Sequence, residues 1–196
     1  MSAYIPNGST IHQAPFGASK TVTIVTNGNP AVATSVAHGM TTGDIVYMKS
    51  GWGGLSGRAF RVGTTTADTF QLLGMDTTDV ALFPPGGGVG TAYEAGTQVQ
   101  IQQILNPQTE GGEIQYQEFQ FLEDTQKRRL ATGKSAMGLK FAVGFDDTLP
   151  GFAAMEQADT DQKERLYIVG LPTGSKIHYV ATAAFNSTPS LTIDQV

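Results

Sequence analysis

The clearest periodicity in the chain lies between Ser135 and Phe145, read SAMGLKFAVGF. Met137, Leu139, Phe141, Val143 and Phe145 share one parity; Ala136, Gly138, Lys140, Ala142 and Gly144 share the other. Strand side chains alternate between faces, so the stretch predicts a long strand with one apolar face. That face, with Phe152 and Met155 from the segment that follows, is the expected core of the second half of the chain. Residues 150–161 predict the one helix: Phe152, Met155 and Ala158 share a face at i,i+3 spacing, and Pro150 and Gly151 suit its start. The segment RLYIVGLPTGSKIHYVATAAF then reads as a hairpin turning at Pro172, Thr173 and Gly174, and SLTIDQV as a last strand.

Upstream, short strand-like runs alternate with turn chemistry. TVTIV, AVATSV, DIVYM, RAFRV and DTFQLL are separated by NGNP, HGMTTG and GWGGLSG. Five short strands of this kind predict a small barrel or sandwich over residues 21–95. Trp52, in a glycine-rich loop, is its expected plug or anchor rather than a ligand platform. Residues 1–20 are broken by Pro6, Asn7, Gly8, Pro15 and Gly17 and read as an irregular arm. PPGGGVGTAYEAG punctuates the chain before a second region at 96–196. There TQVQIQQIL slips parity at Gln102-Gln103, which a bulge would repair. EIQYQEFQFLE changes parity between Tyr116 and Phe119, so either a bulge intervenes or both faces are covered, as in an inter-subunit sheet.

Composition supports strands over helices. The 196 residues include 24 Gly and 9 Pro, with only 15% charged and 40% hydrophobic. Twelve basic residues face seventeen acidic ones, for a net charge of −5. Neither half carries the basic excess that phosphate contacts require, which argues against a duplex-binding surface. With no cysteine, disulfide and thiol chemistry are excluded. No stretch reads as a signal peptide or approaches transmembrane length, so a soluble product is expected.

No constellation for catalysis emerges. Gly133-Lys134-Ser135 resembles the end of a phosphate-binding loop, but Arg128 stands where its first glycine belongs and a strand follows where a helix should. His12, His38 and His178 are scattered, and His38 reads as a turn residue with Gly39 and Gly43. Asp146-Asp147 and Asp159, Asp161 lack the regular oxygen spacing of a calcium loop. Lys127, Arg128 and Arg129, flanked by Glu118, Glu123 and Asp124, read as a solvated loop or an inter-subunit ion-pair patch. No enzyme, cofactor or metal site is expected.

Two segments carry a family likeness. His38-Gly39, Gly43-Asp44, Phe60-Arg61-Val62 and Asp68 to Leu72 resemble a small β-module common in phage structural proteins. From about Gly96 to Val196 the chain resembles the tail tube proteins of long-tailed bacteriophages, through QFLEDTQ, the long alternating strand and an aromatic-bearing helix at Pro150 to Ala158. The resemblance implies a mainly β fold: a tail-tube β-sandwich or barrel with one short flanking helix, plus a small SH3-like barrel. It further implies hexameric rings stacked into a hollow tube for DNA ejection, in a virion tail assembled in the host cytoplasm. Tape-measure, baseplate and terminator proteins would be partners, and DNA would pass the lumen without sequence-specific binding. The loops 106–113 and 125–133, with Asn106, Glu110, Glu113, Lys127, Arg128 and Arg129, are then candidates for inter-ring or inter-subunit contact, and the module would decorate the tube's exterior. The alternatives are a single-ring terminator or connector, and a tail-surface carbohydrate-binding module with an aromatic platform near Trp52.

Overall fold

A computed structural model describes residues 7–188 of the chain. The strands in chain order are β1 (Thr10–Ala14), β2 (Phe16–Val22), β3 (Ile24–Val25), β4 (Ala31–Thr34), β5 (Ile45–Ser50), β6 (Arg58–Thr65), β7 (Thr69–Leu72), β8 (Gly90–Ala95), β9 (Val99–Ile101), β10 (Ile104–Glu110), β11 (Ile114–Phe119), β12 (Arg128–Lys134) and β13 (Gly138–Val143). Helix α1 (Pro150–Asp161) and the strands β14 (Arg165–Gly170) and β15 (Lys176–Ala181) complete a mainly β fold with one short helix. By packing, the chain falls into two compact units. One runs to Gln102 and resumes at Asp146; the other contains Gln103–Phe145. This division differs from sequence boundaries at 20 and 95.

In the first unit, seven strands form an antiparallel sheet in the order β2-β8-β5-β6-β7-β4-β3. Its two edge strands, β2 and β3, are joined through the single residue Thr23, so the sheet curls round upon itself like a barrel. Inward-facing Val46, Met48, Phe60, Val62, Phe70 and Leu72 fill it, and Trp52 is 3% exposed among them. Gly39 and Gly43 lie at φ 69° and 103°, left-handed backbone that suits glycine, as the turn signals predict. His38, just before them, is buried: its Nδ1 accepts the Met40 N–H at 3.0 Å, and its ring meets Phe70 edge-on.

A second sheet of the same unit runs β15-β14-β1-β9, all antiparallel. The irregular arm expected over residues 1–20 is therefore corrected. Thr10–Ala14 is a central strand between β14 and β9, and Phe16–Val22 pairs with β8. Pro15 and Gly17 mark where the chain crosses from one sheet to the other; long-range pairing overrides the local breakers. Tyr4, Ile5 and the expected last strand SLTIDQV lie outside the described residues. Ala14, Ile45, Leu166 and Ile168 form a shared core between this sheet and the barrel, joined by Phe16, Ala59, Ala95 and Val180.

Helix α1 occupies the span that the sequence predicts. Proline opens it, Phe152, Met155 and Ala158 are buried, and left-handed Gln162 closes it by donating its N–H to Ala158 O at 3.1 Å. A polar latch anchors its end: Arg165 is almost wholly buried and bonds Asp161 at 2.6 Å, while the Gln13 amide bridges Ala154 O and Arg165 Nε. The Asp161 carboxyl is held below the ordinary range by the Lys163 backbone N–H first and the Arg165 charge after it, with desolvation opposing. The unfolded chain then takes up that proton more readily than the folded one. Asp161 contributes stability above the ordinary carboxylate pKa, and that contribution is lost as pH falls through the lower folded value. An Asp161→Asn variant is expected to flatten the decline in stability between about pH 5 and pH 2, measured by urea unfolding across that range; an unchanged slope would remove Asp161 from the latch.

Candidate assembly surface

The unit Gln103–Phe145 is a long antiparallel ribbon. β10 pairs with β13 and, beyond a break, β11 pairs with β12. Gly111 and Gly112 stand at φ 77° and 78° in that break, and a Cβ at Gly111 would collide with the Ala136 carbonyl oxygen. Opposite them, Ser135 holds the two halves together: its N–H donates to Glu113 O at 2.9 Å, and its Oγ accepts the Glu113 N–H at 3.1 Å. The alternation from Ser135 to Phe145 is thus interrupted at its start, and the regular strand is Gly138–Val143. Two register shifts bend the ribbon further. One lies between Leu105 and Gln108, with Asn106 left-handed at φ 48°; the other leaves Thr132 unpaired between Ala131 and Gly133.

The parity changes in the sequence have other causes. Gln103, at φ 55°, separates β9 from β10, which belong to different sheets. β11 itself is unbroken, so Ile114 and Tyr116 share one face and Phe119 lies on the other. Both faces of the ribbon therefore carry apolar side chains.

Of the expected core residues, Phe152 and Met155 are buried. Leu139, Phe141 and Val143 are half-buried on one face of β13. Met137 and Phe145 are corrected: they are 60% and 55% exposed, so the stripe is not a core within this chain. A two-stranded ribbon brings no covering layer of its own. Ile114, Tyr116, Phe121, Leu130 and Leu105 are exposed on it as well, and Leu122 at its tip is fully so.

Its charges are partly spent internally. Arg129 bridges across the ribbon to Glu118 at 2.8 Å. Arg128 bonds Asp124 at 3.0 Å and lies over the Phe121 ring, ordering the tip together with a Gln120 bond to Asp124 O at 2.7 Å. Lys127, Glu110 and Glu113 have no ion pair among the described residues. Gly133-Lys134-Ser135 ends a strand and opens no helix.

The first unit holds a cleft of about 660 Å³ that sequence reasoning missed, because its walls come from β2, β5, β8 and the turn after α1. Phe16 stacks on Tyr47 at 4.9 Å, and the Lys49 ammonium lies over Tyr47 and Tyr93. Glu164 accepts from Tyr47 Oη at 3.0 Å and pairs with Lys49 at 2.7 Å. The Lys49 hydrogen bond holds the Glu164 carboxyl low and Glu164 raises Lys49, while burial raises the Tyr47 hydroxyl. These polar groups satisfy one another and leave no poised acid, base or nucleophile.

Trp52 offers no exposed platform: its indole N–H donates to Pro84 O at 2.9 Å and its ring meets Phe83 edge-on at 5.4 Å. Among the described residues no His, Asp or Glu cluster could hold a metal, and no helix is long and apolar enough to cross a membrane.

No curated protein matches the chain. The family model described as phage tail tube protein (TTP) matches residues 50–196, which spans the barrel from β6 onward, the whole apolar ribbon and the helix. By that match the chain belongs to the phage tail tube protein family, a structural and non-enzymatic constituent of the virion tail.

Proposed function

We propose that this chain forms hexameric rings that stack into the hollow tail tube through which phage DNA is ejected. The observation that carries the reading is the ribbon of residues 103–145, whose two faces bear large apolar side chains that stand exposed. Exposed apolar area on this scale marks a surface for other chains. Each such side chain gains roughly 1.5–3 kcal/mol when fully buried, and cyclic closure followed by head-to-tail stacking buries the same surface in every copy. The acidic balance of the chain suits a lumen along which DNA slides without binding. Asn106, Glu110, Glu113 and Lys127, together with the tip ordered by Arg128 and Arg129, are the proposed contacts between subunits or rings. The barrel of residues 21–95 is the proposed external decoration. Tape-measure, baseplate and terminator proteins are the proposed partners, and assembly takes place in the host cytoplasm.

Negative-stain microscopy of the purified protein across a concentration series tests this. Hollow tubes with a regular axial repeat are expected. Isolated rings at every concentration would instead favour a terminator or connector, and monomers throughout would overturn the assembly reading.

A further inference from the structure

Edge strand β15 contributes Lys176 and His178 to a basic cluster that has no counter-charge among the described residues. His178 stands opposite Ile168 in the register and therefore shares its face, at the rim of the core between the two sheets. Lys176 lies two residues away on that same face and is exposed. From the barrel, Arg61 on β6 stands opposite Ile45, a member of that core, and its charge acts on His178 together with that of Lys176. His12 on β1 faces the same way in the same row, beyond Ile168. No carboxylate acts on His178 among the described residues, and neither Arg61 nor Lys176 has an ion pair there. Two fixed cations beside a protonatable imidazole, in a chain of net charge −5, are a complementary surface for a carboxylate pair.

The same chain carries such a pair. Glu110 ends β10 and Glu113 precedes β11, on either side of the Gly111-Gly112 break, both exposed and without an ion pair among the described residues. The two left-handed glycines and the Ser135 bonds to Glu113 set the backbone from which both carboxylates project. We propose that Arg61, Lys176 and His178 receive the carboxylates of Glu110 and Glu113 from a second copy of the chain. This rests on the self-assembly reading and names one heterologous contact within it. One surface on each copy meets a different surface on the next, so the contact repeats along an assembly.

The contact is tuned by pH. Burial first, then Lys176 and Arg61, lower the proton affinity of His178. Two arriving carboxylates act in the opposite sense, so protonation and docking reinforce one another. Association is expected to tighten as pH falls below the ordinary imidazole range, and His178→Gln to lose that dependence.

Charge reversal tests the assignment. Arg61→Glu with Lys176→Glu is expected to raise the concentration needed for assembly at least about tenfold, and so is Glu110→Lys with Glu113→Lys. All four changes in one chain are expected to restore assembly to within about threefold of the native protein. Charges that merely guard an edge strand against pairing would tolerate reversal, since glutamate guards as well as lysine. A second measurement stands apart from tube formation. The chain has no cysteine, so Lys176→Cys and Glu113→Cys variants can be mixed and joined by a short bismaleimide. Crosslinked heterodimers well above those of either variant alone support the contact even if no tubes form, which would count against the tube reading only. Absence of both rescue and heterodimers would overturn the contact while leaving tubes of the native protein unexplained by it.

Discussion

Replacing Ile114, Tyr116 and Leu130 together by serine is expected to abolish tube formation while leaving the single chain folded. All three are half or more exposed, and they come from both strands of the ribbon. Exposed substitutions away from special features change stability by about 0.5 kcal/mol or less each. The loss on assembly is larger, because each half-exposed side chain forgoes roughly 1–2 kcal/mol of further burial in every copy. Since about 1.4 kcal/mol is a factor of ten in an equilibrium constant, three such losses move the assembly threshold by several orders of magnitude. Sedimentation velocity and thermal unfolding on the same preparation separate the two effects. A variant that still makes tubes at native concentrations would show that these faces stay wet in the assembly. One whose unfolding drops sharply would show that the ribbon already packs within the chain.

Trp52→Ala is expected to be the most damaging single substitution in the barrel, lowering its stability by about 3–5 kcal/mol. The indole fills a slot that glycines make possible: a Cβ at Gly87 would lie 2.8 Å from Nε1, and one at Gly88 2.9 Å from Cζ3. Removing it leaves a cavity beside Phe83 and takes from the Pro84 carbonyl one of two donors, the Gly87 N–H remaining. Trp52→Phe keeps most of the volume and loses the hydrogen bond, so its cost is expected nearer 1–2 kcal/mol. Chemical denaturation followed by circular dichroism measures both. The native protein can also be followed by the emission of its single tryptophan. A cost below about 1 kcal/mol for the alanine variant would show that the glycine loop collapses into the space, and the plug reading would fail.

Local chemistry was legible where it was also decisive. The i,i+3 spacing of Phe152, Met155 and Ala158 found the helix, because a helix closes its own hydrogen bonds and needs only one buried stripe. Pro172 to Gly174 found the last hairpin, where the Gly174 N–H returns to Leu171 O at 2.9 Å. The barrel strands β3 to β7 were readable as short apolar runs between turn signals, but β8, within the stretch read as punctuation, was not: its partners β2 and β5 lie some 40 to 80 positions away. Trp52 was readable as a plug because only glycine neighbours leave room for it.

Other features could not be read locally. β1 looked like an arm because its partners, β14 and β9, lie some 90 to 160 positions away. The cleft between Phe16, Tyr47, Tyr93 and Glu164 gathers residues from four separate elements. The bulges at Asn106 and Thr132 are matters of register between strands, which a single strand does not carry.

The stripe from Met137 to Phe145 marks the division most clearly. By itself the sequence determined that one face of this strand is apolar, because alternation with period two follows from the strand backbone alone. Whether that face is a core was decided by the tertiary structure, which among the described residues pairs β13 only with β10. Apolarity belongs to the side chain and is written in the sequence, whereas burial belongs to whatever lies opposite.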